Sequence, residues 1–255
     1  MIRSILWGII LGLTIIIVIN TAIFYAINAQ THYEIFTKMI EETGDNYSIK
    51  VSYPQIIFYK TAQDKFNQFV LDSIQSQIDD FKKTVSQPVN PLVPKSIKNE
   101  LNIHYSLVGN SLAYISFLFN KEEFYAGYAH PKHTLSSLNY EFKSGRNADI
   151  SELFNSGSDY VNIISNYAYR LFLNQIQSGQ LDSTKEYLDQ EKGTAPEIKN
   201  FEIYGITNQA LIIYFQEYQV GPYVAGQPRI IIPYLALKNV IKQDGLLGPY
   251  IKNTP

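Results

Sequence analysis

The chain of 255 residues contains no cysteine. Disulfides, thiol catalysis, thiolate-bound zinc and lipid attachment at an N-terminal cysteine are therefore excluded. Charge is scarce as well: Asp, Glu, Lys and Arg make up 17% of the residues and leave a net charge of −2. So mild a balance gives no electrostatic footprint for nucleic acid or for an anionic lipid surface. Among the four histidines, His130 and His133 form one close pair. A zinc protease motif needs two histidines one helical turn apart around a glutamate, and Pro131 forbids that helix, so no metal site is expected. No Gly-x-Ser-x-Gly elbow, phosphate loop or dinucleotide fingerprint occurs. Glu122 and Glu123 read as a solvated turn, because nothing places a second carboxylate opposite them. The expectation is a protein without catalytic residues or cofactor.

What the chain has in abundance is apolar and aromatic surface. Apolar residues make up 45%, which suits a packed globular body, and there are 20 tyrosines and 14 phenylalanines. Tyrosine favours half-buried pleated strands, so a sheet-rich fold accounts for most of them. Ile5 to Ile27 run for about 23 residues without a charge, reaching roughly 34 Å as a helix against about 30 Å of hydrocarbon. A signal peptide would have a shorter apolar core and a small-x-small cleavage site, which Ile27-Asn28-Ala29 matches poorly. Residues 1–28 are thus expected to be an uncleaved membrane anchor, the alternative being a secreted protein. Arg3, the only flanking charge, places the N-terminus in the cytoplasm and the chain after Ala29 outside. On that placement the cytoplasmic tail is about four residues, too short to grip a partner.

Residues 29–45 read as a stalk, partly helical around Tyr33 to Ile40. Strict alternation makes Tyr47 to Tyr53 a strand. Phe66, Phe69, Val70, Ile74, Ile78 and Phe81 then form one stripe of an amphipathic helix over residues 61–83, capped by Thr61. After the proline-rich loop at 87–95 come strands at 101–108, 112–119 and 135–142, the first two joined at Gly109 and Asn110 by a tight turn. A second amphipathic helix carries Tyr160, Ile163, Ile164, Tyr167, Leu171 and Ile176, and residues 182–191 read as a short exposed helix. Strands at 201–206, 211–215 and 230–232 and a helical turn at 235–241 complete the chain. The fold class is α+β: a transmembrane helix, then two helix-plus-antiparallel-meander halves, residues 46–145 and 146–252, forming one extracytoplasmic unit.

The last two strands flank an unusual loop, Tyr214 to Tyr234, in which Gly221-Pro222 and Gly226-Gln227-Pro228 reverse the chain and Tyr218 and Tyr223 are presented on a stiff frame. With Tyr125, Tyr128, His130 and Arg229 they are the candidate ligand-binding residues, provided that the two loops meet. Five spaced segments also carry a resemblance: Gly127-Tyr128-Ala129-His130, Ser144-Gly145-Arg146, Glu152-Leu153-Phe154, Tyr218 with Pro222-Tyr223-Val224-Ala225-Gly226, and Ile232-Pro233-Tyr234. In this order the chain resembles the tandem extracytoplasmic domain, of unknown function, shared by lysozyme-responsive anti-sigma factors of the RsiV type and the non-catalytic N-terminal part of PdaC-type peptidoglycan deacetylases. Tyr128 stands where that family usually has a second glycine, and neither a sigma-binding segment nor a deacetylase domain is expected. The resemblance implies a membrane-tethered recognition module whose partner is a lysozyme-type protein or peptidoglycan. A structural envelope protein that binds another membrane protein and a cryptic wall hydrolase are the alternatives.

Overall fold

The computed structural model describes residues 33–58, 63–87, 94, 96–189 and 193–252. The anchor expected over 1–28, the cap Thr61 and most of the 87–95 loop lie outside the described residues. Among the described residues no helix is long and apolar enough to cross a membrane.

The fold is α+β and has two sheets. The first has six strands in the order β1 (Tyr33–Thr43), β2 (Tyr47–Phe58), β3 (Asn99–Asn110), β4 (Tyr114–Phe124), β5 (Lys132–Glu141) and β6 (Arg146–Asn147). Between β2 and β3 the chain crosses over through the helix α1 (Gln63–Val85), so these two strands pair in parallel, Ile49 beside Leu101, while the other pairs are antiparallel. The first half is therefore a β-α-β crossover joined to a meander, not a helix followed by a purely antiparallel meander. Of the expected stripe, Phe66, Val70, Ile74, Ile78 and Phe81 are buried against Ile49, Val51, Leu101, Ile103, Ile115 and Phe117, while Phe69 lies at the margin of the face and is exposed.

Two local expectations are corrected. Tyr33–Thr43 is an edge strand, not a partly helical stretch: its backbone pairs along its whole length with β2, from Tyr33 opposite Phe58 to Thr43 opposite Ser48. Gly109 and Asn110 do not form the turn either. They continue β3 past a register shift between Leu107 and Gly109, and the chain reverses at residues 111–113, where the Ser111 amide donates to the Tyr114 carbonyl at 2.8 Å. Glycine is needed at 109 because a Cβ there would come within 2.3 Å of the Ile206 carbonyl oxygen.

The second sheet has three strands, β7 (Tyr204–Ile206), β8 (Ala210–Tyr214) and β9 (Arg229–Pro233), packed with α2 (Tyr160–Gln177). Ile164, Ala168 and Phe172 of α2 share one core with Ile206, Leu211, Ile213, Phe215, Ile230 and Ile232. The short helix α3 (Lys185–Asp189) is only partly exposed, since Leu188 enters this core. Two further short helices, α4 (Tyr234–Leu237) and α5 (Gly248–Ile251), follow β9.

The two sheets meet edge to face. One edge of β7 pairs with β8; from the other edge the Tyr204 amide donates to Ser137 Oγ (3.1 Å), the Ile206 amide donates to Ser116 Oγ (3.1 Å), and the Tyr204 carbonyl accepts from Asn139 Nδ2 (2.8 Å). Ser116 Oγ in turn donates to Asn139 Oδ1 at 2.6 Å. Side chains of β4 and β5 thus satisfy a strand edge that would otherwise be left bare. Ser116, Asn139 and Tyr204 are buried, and burial pushes the Tyr204 phenol, which donates to the Ala148 carbonyl at 2.8 Å, well above its ordinary range.

Candidate functional site

Residues 125–131, which join β4 to β5, and residues 215–228, which join β8 to β9, come from different halves of the chain. The bridge between them is Gln216. Its Nε2 donates to the Leu135 carbonyl at 2.8 Å and its Oε1 accepts from the Leu135 amide at 3.0 Å, so the amide group pairs with β5 as a strand residue would. Gln219 fixes the next turn: Oε1 accepts from the Gln216 amide (3.0 Å) and Nε2 donates to the Asn200 carbonyl (3.0 Å). Ser183 Oγ holds the far side of the loop by donating to the Val220 carbonyl.

On this frame the rings of His130 and Tyr223 lie 5.0 Å apart at an interplanar angle of 35°, and Tyr218 continues the row at 6.0 Å from Tyr223. The two motif loops therefore meet. Tyr218 is 52% and Tyr223 40% exposed, so their rings reach solvent while backing each other. Tyr218 has φ of 63°, and no other non-glycine residue among the described ones has a positive φ. A bulky side chain in that region costs about 1–2 kcal/mol, strain that the loop's hydrogen bonds must hold in place.

Tyr125 and Tyr128 form a second pair, 6.0 Å apart. Tyr125 leans on Phe81 at the end of α1, and its hydroxyl donates to Glu123 at 3.1 Å; burial first, then the Glu123 carboxylate, push its phenol up to about 12. It is a half-buried support. Tyr128 is 70% exposed, in a turn closed by its amide on the Tyr125 carbonyl with Gly127 at φ of 99°, so its ring stands in solvent where a glycine would leave the backbone bare. Arg229 stands apart from both pairs, on a groove with His104, Asn120 and Tyr214. Of the six candidate residues the structure thus joins three, His130, Tyr218 and Tyr223, into one ledge, pairs Tyr125 with Tyr128, and sets Arg229 in a neighbouring feature.

His133 faces Glu122 at 3.6 Å, and His130 Nδ1 lies 3.0 Å from the Pro131 carbonyl oxygen. Among the described residues no three His, Asp or Glu side chains gather as metal ligands would. The residues that sequence reasoning passed over are Gln216 and Gln219. An amide side chain has no signature of its own, and its role depends on a partner strand far away in sequence.

Two of the segments that carry the resemblance turn out to build a joint. Arg146 on β6 makes a two-pronged ion pair with Glu152 (2.7 and 2.6 Å), and Glu152 also accepts from the Asp149 amide, closing a capping box on the 3-10 turn Ile150–Leu153.

An edge-to-face pair of α+β units with an aromatic junction is the class that this geometry defines. Two family models match it in tandem: "Deacetylase PdaC" over residues 40–133 and "Protein of unknown function (DUF3298)" over residues 151–235. The chain is thus similar to each of these two families over a different part of its length. It is 26% identical over 201 residues to the peptidoglycan-N-acetylmuramic acid deacetylase PdaC of Bacillus subtilis, a match that covers 79% of this chain and 40% of that protein. The chain therefore spans less than half of that relative. Crystal structures of DUF3298-family proteins share the fold: one from Bacteroides fragilis with a TM-score of 0.60 at 14% identity, covering 88% of this chain and 99% of the other, and one from Pseudomonas aeruginosa with a TM-score of 0.55 at 12% identity, covering 83% and 94%.

Proposed function

We propose that this protein is a recognition module of the cell envelope that binds wall glycan at the ledge formed by His130, Tyr223 and Tyr218. The observation that carries the reading is the contact of His130 with Tyr223 across the two halves, which sets a row of exposed rings on a braced loop. Such rings offer flat apolar faces to the C–H faces of sugars and hydroxyls to their oxygens, at little entropic cost because the loop is already ordered. The relation to a protein named for peptidoglycan supports the wall as the place where the ligand is found. In this reading Ile5 to Ile27 tether the domain to the membrane, with the N-terminus inside and the sheets outside. In this reading the ledge holds the glycan through ring faces and hydroxyls.

The test is co-sedimentation of the full-length chain, in detergent, with insoluble peptidoglycan sacculi, in parallel with capture on immobilised lysozyme. Retention by sacculi is expected, and the pair of substitutions Tyr218→Ala and Tyr223→Ala is expected to weaken it about tenfold or more, since aromatic anchors commonly dominate such interfaces. Retention that the double variant leaves unchanged would remove the ledge from the account. Capture by lysozyme with no retention by sacculi would replace the glycan with a protein partner.

A further inference from the structure

The two sheets end differently. The outward groups of β7 are satisfied by Ser116, Ser137 and Asn139, whereas β1, the outermost strand of the six-stranded sheet, has no strand beyond it. Three observations fix the phase of its pairing with β2. The Gly44 amide donates to the Tyr47 carbonyl at 3.0 Å and closes the hairpin. Pro54, which has no N–H to give, stands opposite Thr37. The Ile56 amide and carbonyl, opposite Ile35, turn away from β1 to the Asn67 side chain at 2.8 and 2.9 Å. Residues of an antiparallel ladder alternate between those bonded to the neighbour and those turned away from it. The even-numbered residues of β1 are therefore bonded to β2, and the odd ones are turned to the open side. Among the described residues the backbone groups of Ile35, Thr37, Met39, Glu41 and Thr43 make no hydrogen bond on that side. Edges of this kind are commonly kept short or broken by proline or a bulge. β1 runs for 11 residues in unbroken register without proline or glycine, and Met39 on it is 66% exposed.

We infer that the open edge of β1 pairs with β1 of a second copy of this chain, antiparallel about a two-fold axis, so that two six-stranded sheets become one. Charge selects the register. Full overlap, centred on Lys38, sets lysine against lysine and Glu34 against Glu42, and like charges directly opposite are destabilising. Centred on Ile40, each Lys38 faces Glu42 of the other copy, a carboxylate already held in place by Lys82 Nζ (2.6 Å) and the Tyr47 hydroxyl (2.5 Å). Thr37 then faces Thr43 and Met39 faces Glu41, and each of these odd-numbered pairs exchanges two backbone hydrogen bonds. Centred on Phe36, Lys38 would meet Glu34, but there the pairing partner β2 is past the residues, 47–51, through which it joins β3. The stiffer part of the edge is the one around Ile40. The tether of the proposed function supplies the second copy. It ends at residue 28, and the four residues before β1 reach at most about 14 Å, so the edges of neighbouring copies are held at one height above the membrane. Confinement to that layer raises their effective concentration, which lets a modest contact suffice. The ledge residues take no part, so this interface and the glycan reading stand or fall separately.

Because the chain has no cysteine, a single introduced one can form a disulfide only between two copies. Ile40→Cys in the full-length chain, reconstituted in lipid vesicles and mildly oxidised, is expected to give a linked dimer. Residues facing each other across the two-fold in a non-hydrogen-bonded pair have Cα atoms about 4.5 Å apart, within disulfide reach. Leu235→Cys, exposed on the second half, reports random collision and should stay unlinked. Ile40 is half-buried, so a second variant guards against misfolding: Lys38→Glu, at an exposed residue, sets glutamate against Glu42. Sedimentation of the full-length chain in detergent over a dilution series should show a dimer, and Lys38→Glu should weaken it about tenfold or more. A monomer at every concentration, or a dimer that Lys38→Glu leaves as tight, would overturn the inference. So would cross-linking of Leu235→Cys to the same extent as Ile40→Cys.

Discussion

The two faces of the six-stranded sheet are covered by different means. On one face α1 lays an unbroken apolar stripe over Ile115, Phe117 and Phe119; on the other, β7 stands on its edge over Ser116, Ser137 and Asn139 and is held by hydrogen bonds. An apolar contact is non-directional and tolerates sliding, whereas a closed set of hydrogen bonds is satisfied in one geometry only. The first face therefore supplies stability and the second supplies position. Position is what the ledge needs, since it is made of residues that approach each other only when the halves are correctly set. Close approach also requires glycine on both sides of the junction: a Cβ on Gly205 would come within 2.5 Å of Val108, as one on Gly109 would meet Ile206.

The contrast is broken most strongly from the apolar side. Phe117 is fully buried, with Tyr105 at 5.4 Å and Phe66 at 6.2 Å between ring centroids. Phe117→Ala is expected to cost about 3–5 kcal/mol in chemical denaturation, the usual cost of emptying an aromatic site in a core. Asn139→Ala on the opposite face is expected to cost less, about 1–3 kcal/mol, because it strands the Tyr204 carbonyl and the Ser116 hydroxyl. The sharper readout there is local: hydrogen exchange should quicken at the Ile206 and Tyr204 amides while the amides of β2 and β3 keep their protection. Equal loosening of both faces by Asn139→Ala would mean that the junction is not a separate positioning device.

The apolar face was the legible one. Phenylalanine and isoleucine at intervals of three and four residues predict a helix over residues 61–83, and Gln63–Val85 is found, because burial of a stripe leaves a periodic trace. The strand β1 left none: it lies at the sheet edge, and Lys38, Glu41 and Glu42 interrupt the alternation that a half-buried strand would show. On the polar face the sequence is mute for a different reason. Ser116, Asn139 and Gln216 acquire meaning only from backbone groups on a strand or loop far away in sequence, so nothing local distinguishes them from surface polar residues. Gly109 misled in the same way, reading as a turn when its purpose is to admit Ile206. The aromatic loop is legible because glycine, proline and tyrosine mark a stiff reversal by their own chemistry.

A smaller effect tests whether the loop is strained for its task. Tyr218 pays for a left-handed backbone that glycine would adopt freely, so Tyr218→Gly relieves about 1–2 kcal/mol, partly offset by the greater freedom glycine has when unfolded. A net stabilisation below about 1 kcal/mol is expected, together with weaker retention by sacculi. Tyr223→Ala, at a residue of ordinary φ, should weaken retention without the gain. Stabilisation by Tyr218→Gly with full retention would show that the strained ring has no part in binding.

The smallest expected effect lies at the joint where the halves are spliced. The Arg146 guanidinium, helped by the Asp149 amide, holds the Glu152 carboxyl down at about 2, below its ordinary 4.5. A carboxyl whose pKa is depressed by folding contributes stability that is present above its unfolded value and is lost as pH falls toward the folded one, so the contribution should fade between about pH 4.5 and about pH 2. Arg146 and Glu152 are both more than a third exposed, and solvent screens them, so the contribution at neutral pH should stay below about 1 kcal/mol. Glu152→Gln keeps an oxygen to accept from the Asp149 amide and removes only the charge. Denaturation curves of the two proteins should therefore differ slightly at pH 7, draw together in high salt, and coincide near pH 2. A difference that persists at pH 2 would mean that the residue acts through its packing and not through the pair with Arg146, and the joint would then belong with the apolar face, whose stability does not depend on charge.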